Sequence, residues 1–328
     1  MTRLALYSES FPLAQTFTIS RGSKTTAEVF VVELSRDGHT GRGESVPYPR
    51  YDETIVGATA AIEALRPRIE AGTLNRASLQ DALPPGAARN ALDCALWDLE
   101  AKLSGQPVHQ RAGLCAPHSV TTAYTLSLAA PEAMGQAAAV NADRPLLKIK
   151  LGGDGSDLDR IEAIRANAPD ATLIVDANEG WSATQVEPLS AELAQRGVAL
   201  IEQPLPAGQD ALLAELEHPV PLCADESCHT TSDLETLATR YECVNLKLDK
   251  TGGLTEALLL VTKAKELGLE LMVGCMVATS LAMAPAALLA PQARYVDLDG
   301  PLLLKQDREH GLHYDGSLLH PPQADLWG

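Results

Sequence analysis

The chain has 328 residues, with 26 Lys+Arg against 43 Asp+Glu and a formal net charge of −17. That acidic excess excludes nucleic acid and anionic membrane as partners, because both select clustered positive charge. Hydrophobic residues make up 45%, enough to bury a sizeable core. No run approaches the ~20 apolar residues of a membrane span, and the opening MTRLALYSES turns polar too soon for a signal peptide. These features predict a cytoplasmic globular protein, with a homo-oligomer allowed.

The first stretch reads as antiparallel strands. Residues 28–35 (EVFVVELS) are rich in β-branched side chains, and Asp37-Gly38 is a strong two-residue hairpin signal. Helical patterns follow over 54–70 and 85–104. In the second, Leu92, Leu96, Leu99 and Leu103 share one face, and Gly105 and Pro107 stop it. An α+β module over residues 1–116 is expected.

After Pro117 short apolar runs alternate with helical stretches such as 156–168 and 254–267. The runs carry Thr125, Lys150, Asp176, Glu202, Asp225, Lys247, Cys275 and Asp297 at their ends, at intervals of 25, 26, 26, 23, 22, 28 and 22. Such a period holds one strand, one crossover helix and two loops. Eight of them predict a (β/α)8-type barrel, an α/β fold, over 117–301. An open doubly wound sheet is disfavoured by the count and by the lack of a Gly-x-Gly-x-x-Gly fingerprint. The Gly152-Gly153-Asp154-Gly155 stretch reads as a strand-to-helix loop. Residues 302–328 are expected to return to the N-terminal module. The six cysteines show no C-x-x-C spacing and read as reduced thiols in or near the core. His310 and His313 read as a solvated turn.

Barrel sites lie at the C-terminal ends of the strands. Asp176, Glu202 and Asp225 would come from strands three, four and five. Three converging carboxylates repel unless a cation joins them, and all-oxygen ligation suits Mg²⁺. Lys148 and Lys150, two apart in a strand, share a face. A neighbouring ammonium or a divalent cation lowers a lysine's pKa toward the range of a base. Lys247, on strand six, would face Lys150 across the ring. Two bases flanking a metal-held carbon acid imply removal of an α-proton on one face and return on the other, through an enediolate. Asp297 and Asp299 share a face at strand eight and suit a substrate ammonium. One of them capping the turn before Gly300 is an equal reading on spacing.

These residues resemble the enolase superfamily, in its muconate lactonizing enzyme branch, and within it the L-Ala-D/L-Glu dipeptide epimerases. The resemblance covers essentially the whole chain. It rests on GAARNALDCALWDLEAK (86–102), KIK (148–150), LIVDANEGWS (173–182), EQP (202–204), Asp225-Glu226 and NLKLDKTGG (245–253). It implies Lys150 and Lys247 as acid/base catalysts, a pairing with Mg²⁺ characteristic of that superfamily. It also implies Asp176, Glu202 and Asp225 as Mg²⁺ ligands, with Lys148 polarising the substrate carboxylate. The DLDG stretch matches the Asp-x-Asp that holds a dipeptide ammonium in such epimerases, hence Asp297 and Asp299. Thr125 and Cys275 match positions that touch the dipeptide. Arg21, in TFTISRGSK (16–24), and Arg50, in PYPRYDE (47–53), compete for a substrate side-chain carboxylate. The implied activity is Mg²⁺-dependent epimerisation of L-Ala-D/L-Glu in murein peptide recycling. The alternatives are an o-succinylbenzoate synthase or N-acylamino acid racemase and, from another class, a binding protein that has lost catalysis.

Overall fold

The computed structural model describes residues 1–328 and begins with a three-stranded antiparallel meander, Arg3–Ile19, Gly22–Arg36 and His39–Ser45. Its middle strand is apolar on both faces. Phe30, Val32 and Leu34 pack under the cap helices, while Val29 and Val31 join the large barrel-side core. The Asp37-Gly38 turn has φ of 50° and 80°, the pair of left-handed conformations a type I′ hairpin needs.

The expected 54–70 helix divides into Ile55–Glu63 and Arg66–Glu70. Pro67 has no N–H for the Glu63 carbonyl, so the ladder breaks there. After a two-turn helix, Arg76–Ala82, the long helix Ala87–Ser104 starts where the Ala87 N–H meets Glu53 Oε1 at 2.7 Å and ends at Gly105, φ 67°. Leu92, Leu96 and Leu99 fill a core with Ile62 and Leu79, each worth roughly 1.5–3 kcal/mol of burial.

Eight strands follow in sequential order, with all seven neighbouring pairs parallel: Tyr124–Leu126, Leu146–Lys150, Thr172–Asp176, Val198–Glu202, Leu222–Ala224, Cys243–Leu246, Glu270–Val273 and Tyr295–Val296. The Ala123 N–H donates to the Val296 carbonyl at 2.7 Å, joining the first strand's approach to the eighth. Helices Pro131–Val140, Asp157–Asn167, Ala183–Gln195, Leu254–Glu266 and Ser280–Ala287 cover five crossovers. The outer layer is thinner than one helix per strand. After strand four there is only a 3₁₀ turn, Ala211–Ala214, because Pro204, Pro206, Pro219 and Pro221 bracket that crossover. Strand eight is followed by the 3₁₀ turn Gly300–Leu303 instead of a crossover helix.

The run expected as strand one is split. Val120–Thr121 pairs with Leu318–Leu319 in a small sheet completed by Tyr314–Asp315. The tail then returns to the cap as expected. Buried Trp327 donates from Nε1 to the Cys94 carbonyl at 3.1 Å, and the Gly328 N–H reaches Asp98 at 2.7 Å. Four cysteines are buried and Cys275 is half-buried. Cys115 is exposed, contrary to the expectation for all six. His310 is exposed at φ 56°, and His313 packs on His320, ring centroids 4.7 Å apart.

Helix Ala87–Ser104 also seats the cap on the loop after strand six. Arg89 donates to the Thr251 and Gly252 carbonyls at 2.7 and 3.2 Å, and Asp93 accepts from the Thr255 N–H and hydroxyl at 2.9 and 2.6 Å. Gly252 and Gly253 are left-handed, φ 75° and 113°. A Cβ on either would lie 2.4–2.5 Å from Arg89 or Asp93. The glycines of NLKLDKTGG are thus what lets a cap helix lie against the strand-six loop.

Candidate active site

The strand ends deliver the acids in register: Lys150 pairs with Asp176, and Asp176 with Glu202. Asp225 follows strand five directly. Oxygens of Asp176, Glu202 and Asp225 all lie within 4.8 Å of one another, and all three residues are buried. This compact all-oxygen donor set fits a hard divalent cation.

Each acid is held by a neighbour. The Asn178 N–H donates to Asp176 at 2.8 Å, and Asn245 Nδ2 donates to Glu202 at 2.8 Å. Gln203 accepts the Asp225 N–H at 2.8 Å through Oε1. Lys250, fully buried, donates to Asp225 Oδ1 at 2.7 Å, to the Asn245 carbonyl at 3.0 Å and to the Asp225 carbonyl. Against the cost of burial, Lys150 and Lys148 hold Asp176 below the usual carboxylate range, and Lys247 and Lys250 do the same for Asp225. Burial and the Asp176 charge push Glu202 up.

Lys150 Nζ lies 2.5 Å from Asp176, and Lys247 Nζ 2.6 Å from Asp225. Standing on strands two and six, they flank the triad from opposite sides of the ring. Lys148 departs from its expected place. Its ammonium is buried behind the triad, 2.7 Å from both Glu202 and Asp297 and 3.4 Å from Asp176, and it does not line the cavity. A neighbouring ammonium or a divalent cation was expected to depress the lysines. Lys148 does lower Lys247, but from the protein's own groups the carboxylates outweigh burial and hold Lys148 and Lys247 above the ordinary value.

Asp297 and Asp299 both point into the interior, 4% and 3% exposed, which removes the turn-capping reading. Asp297 is tied to the triad through Lys148 instead of standing clear of it. Thr125 holds the pair: its N–H donates to Asp299 at 2.6 Å, and its hydroxyl lies 3.4 Å from Asp297. Burial, then the Asp297 charge, pushes Asp299 up to about 7.

Above the strand ends lies a cavity of about 270 Å³. Lys150, Lys247, Asp225 and Cys275 line it from the barrel, and Phe17, Lys24 and Tyr51 from the cap. The TFTISRGSK segment is the tip of the first hairpin, turning at Ser20-Arg21 between two strands. Arg21 lines the cavity, but its guanidinium is bonded to Glu226 at 2.6 Å, Glu179 at 3.0 Å and the Asn178 carbonyl at 2.7 Å. Arg50 is bonded to Glu179 at 2.7 and 2.8 Å and lies outside the cavity lining. Lys24 is the cap cation in the cavity with no ion-pair partner. Burial, then repulsion from Lys150 and Lys247, pulls it down to about 8.

Lys24, Asn178, Gln203, Asn245 and Lys250 carry no individual expectation from the sequence. All five sit inside motifs quoted for other residues, Lys24 in TFTISRGSK with Arg21. For the other four the signal is that each lies within three residues of a triad acid or of Lys247.

An eight-stranded ring that gathers three buried carboxylates between opposed lysines, under an α+β cap, defines a cation-assisted acid/base barrel. Residues 1–113 match the mandelate racemase/muconate lactonizing enzyme N-terminal domain, and residues 132–325 the enolase C-terminal domain-like family. The chain belongs to the enolase superfamily. It is 48% identical over 322 residues to the L-Ala-D/L-Glu epimerase of Escherichia coli, covering 98% of this chain and 100% of that one. It is also 50% identical over 304 residues to an N-acetyl-D-glutamate racemase of a Pseudoalteromonas species, covering 92% and 95%. Among solved structures, an enolase family member from Agrobacterium tumefaciens with homology to dipeptide epimerases, holding sodium and L-Ala-L-Glu, superposes with a TM-score of 0.98. It is 52% identical with both chains fully covered. A dipeptide epimerase from Enterococcus faecalis, complexed with Mg and L-Leu-L-Tyr, gives 0.89 at 29% identity, covering 97% and 96%.

Proposed function

We propose that this enzyme is a Mg²⁺-dependent epimerase of L-Ala-D/L-Glu dipeptides acting in the recycling of cell-wall peptides. The observation that carries it is the placement of Lys150 and Lys247 on opposite strands of one ring, both facing a single cavity beside the carboxylate triad. Asp176, Glu202 and Asp225 would hold the cation, which supplies positive charge to the substrate's α-carboxylate as the α-proton leaves. Lys150 and Lys247 do the proton work: one takes the proton from its face of the α-carbon, and the other gives a proton to the opposite face. The configuration inverts with no net change in composition.

Asp297 and Asp299, held by Thr125 beside Cys275 and just outside the cavity lining, would receive the substrate ammonium. Cys275, at the cavity wall, packs against the dipeptide. Lys148, directly behind Glu202 and Asp176, adds the positive charge that polarises the substrate carboxylate. The role first expected of Arg21 or Arg50 falls to Lys24, because both arginines are already engaged by Glu179 or Glu226 and Lys24 is unpaired. The cap, residues 1–116 with the returning segment 302–328, supplies specificity, and the barrel over 117–301 the chemistry.

The similarity to an N-acetyl-D-glutamate racemase favours one second reading, an N-acylamino acid racemase. Lys24 suits the glutamate side chain in either substrate, but an acylated nitrogen has no charge for the buried Asp297–Asp299 pair. Incubation with Mg²⁺ in D₂O decides, following the glutamate α-proton by NMR. L-Ala-L-Glu should take up deuterium and invert. Turnover of N-acetyl-glutamate with an inert dipeptide would replace the first reading with the second.

A further inference from the structure

One carboxylate joins three separate parts of the chain above the site. Glu179, on the loop after strand three, accepts from Arg21 Nη1 at 3.0 Å, from Arg50 Nε and Nη2 at 2.8 and 2.7 Å, and from the Ala207 N–H at 2.7 Å. Arg21 belongs to the hairpin tip, Arg50 to the second cap loop and Ala207 to the loop after strand four. The adjacent Asn178 carbonyl accepts from Ser20 Oγ at 2.8 Å and Arg21 Nη1 at 2.7 Å. Asn178 and Glu179 both adopt left-handed backbone, φ 44° and 65°. Two consecutive non-glycine residues in that region carry backbone strain. Here the conformation accompanies the aiming of a carbonyl and a carboxylate at the cap.

The two clasped segments also supply the cavity's cap wall: Arg21, Lys24, Tyr48 and Tyr51. Nearer its root, the hairpin is fixed by a different contact, the Leu128 N–H to the Thr18 carbonyl at 3.0 Å. Glu179 side chain is only 6% exposed, against 26% and 36% for Arg21 and Arg50. It therefore acts as a shared partner that occupies two arginines and leaves Lys24 as the free cation.

We propose that Glu179 is a specificity-positioning residue. By clasping both cap loops it sets Lys24 over the substrate's second side chain and keeps Arg21 and Arg50 from competing for that side-chain carboxylate. The proposal rests on the reading of the cavity as the site for a glutamate-bearing substrate. It does not depend on whether the substrate nitrogen is free or acylated.

The test compares wild type with Glu179→Gln and Arg50→Met, on L-Ala-L-Glu against L-Ala-L-Gln. If the wild type prefers acylated substrates, N-acetyl-L-glutamate and N-acetyl-L-glutamine take their place. For Glu179→Gln the expected result is a rise of about tenfold or more in KM for the glutamate substrate and a kcat within about threefold. The glutamate-to-glutamine ratio of kcat/KM should shrink by a similar factor. Arg50→Met, which removes one of the two clasped loops, should move the same way by less. As a second readout, tryptic cleavage after Arg21, Lys24 or Arg50, mapped by mass spectrometry, should accelerate in Glu179→Gln with the remaining chain still resistant. Equal KM rises for both substrates, or an unchanged ratio with faster cleavage, would overturn the positioning role. A wild type inert on all four compounds would instead sink the functional reading beneath it.

Discussion

Replacing Lys24 by Met isolates the contact proposed for the substrate's side-chain carboxylate. Lys24 has no carboxylate partner in the protein, and burial together with Lys150 and Lys247 holds its ammonium down to about 8. Removing it breaks no ion pair and relieves repulsion, so the folded state should not lose stability. A charge-assisted hydrogen bond to a substrate carboxylate is worth roughly 1.5–3 kcal/mol. At 1.4 kcal/mol per factor of ten, that is a loss of about 10- to 150-fold in kcat/KM for L-Ala-L-Glu. L-Ala-L-Gln, which offers no charge, should lose less than about threefold. The assay is coupled or polarimetric epimerisation of both dipeptides, with Lys24→Arg as a control. In the wild type, kcat/KM for the glutamate substrate should fall above pH 8 as Lys24 deprotonates, and Lys24→Arg should move that fall upward. Equal losses on the two dipeptides, or a pH limb that ignores the arginine variant, would refute the assignment.

Two further outcomes follow from buried carboxyls. Burial, then the Asp297 charge, pushes Asp299 up to about 7, so ammonium binding below that pH is expected to expel a proton. KM for a dipeptide should rise about tenfold per unit as pH falls below 7, and Asp299→Asn should remove the slope. N-acetyl-glutamate should show no such slope. Asp249 accepts from the Val46 N–H at 2.8 Å and from Asn90 at 3.2 Å, and burial raises it from 3.8 to about 7. A carboxyl raised on folding stabilises the native state fully below its unfolded pKa, and that contribution is lost as pH rises toward the folded one. At 1.36 kcal/mol per unit the loss is on the order of 4 kcal/mol between pH 4 and 7. Urea melts at pH 5 and 7.5 should differ less in Asp249→Asn than in wild type, and an unchanged difference would refute the attribution.

The barrel and its acids were legible because their signal is local and repeated. A period near 25 sets strand ends, and a polar residue closing an apolar run marks each one. What escaped depends on partners distant in sequence. Arg21, Arg50 and Lys24 look alike in a hairpin and a loop, and only Glu179 and Glu226, more than a hundred residues on, decide which is free. Thr125 was expected to touch substrate, and its N–H is committed to Asp299, 174 residues on in the chain but next to it where strand eight closes against strand one. Lys148 and Lys150 share a strand face, yet one layer of depth places the first behind the triad and the second in the cavity. The thin helical layer after strand four was written in four prolines that a strand–helix period overlooks.

The proposed mechanism has two lysines serving opposite faces of one α-carbon. Its most direct measurement is α-proton exchange in D₂O from each epimer of Ala-Glu separately, using Lys150→Arg and Lys247→Arg with Mg²⁺ present. Neither variant should epimerise, and each should retain exchange only from the epimer whose proton faces the surviving lysine. Full epimerisation by either variant would contradict the account.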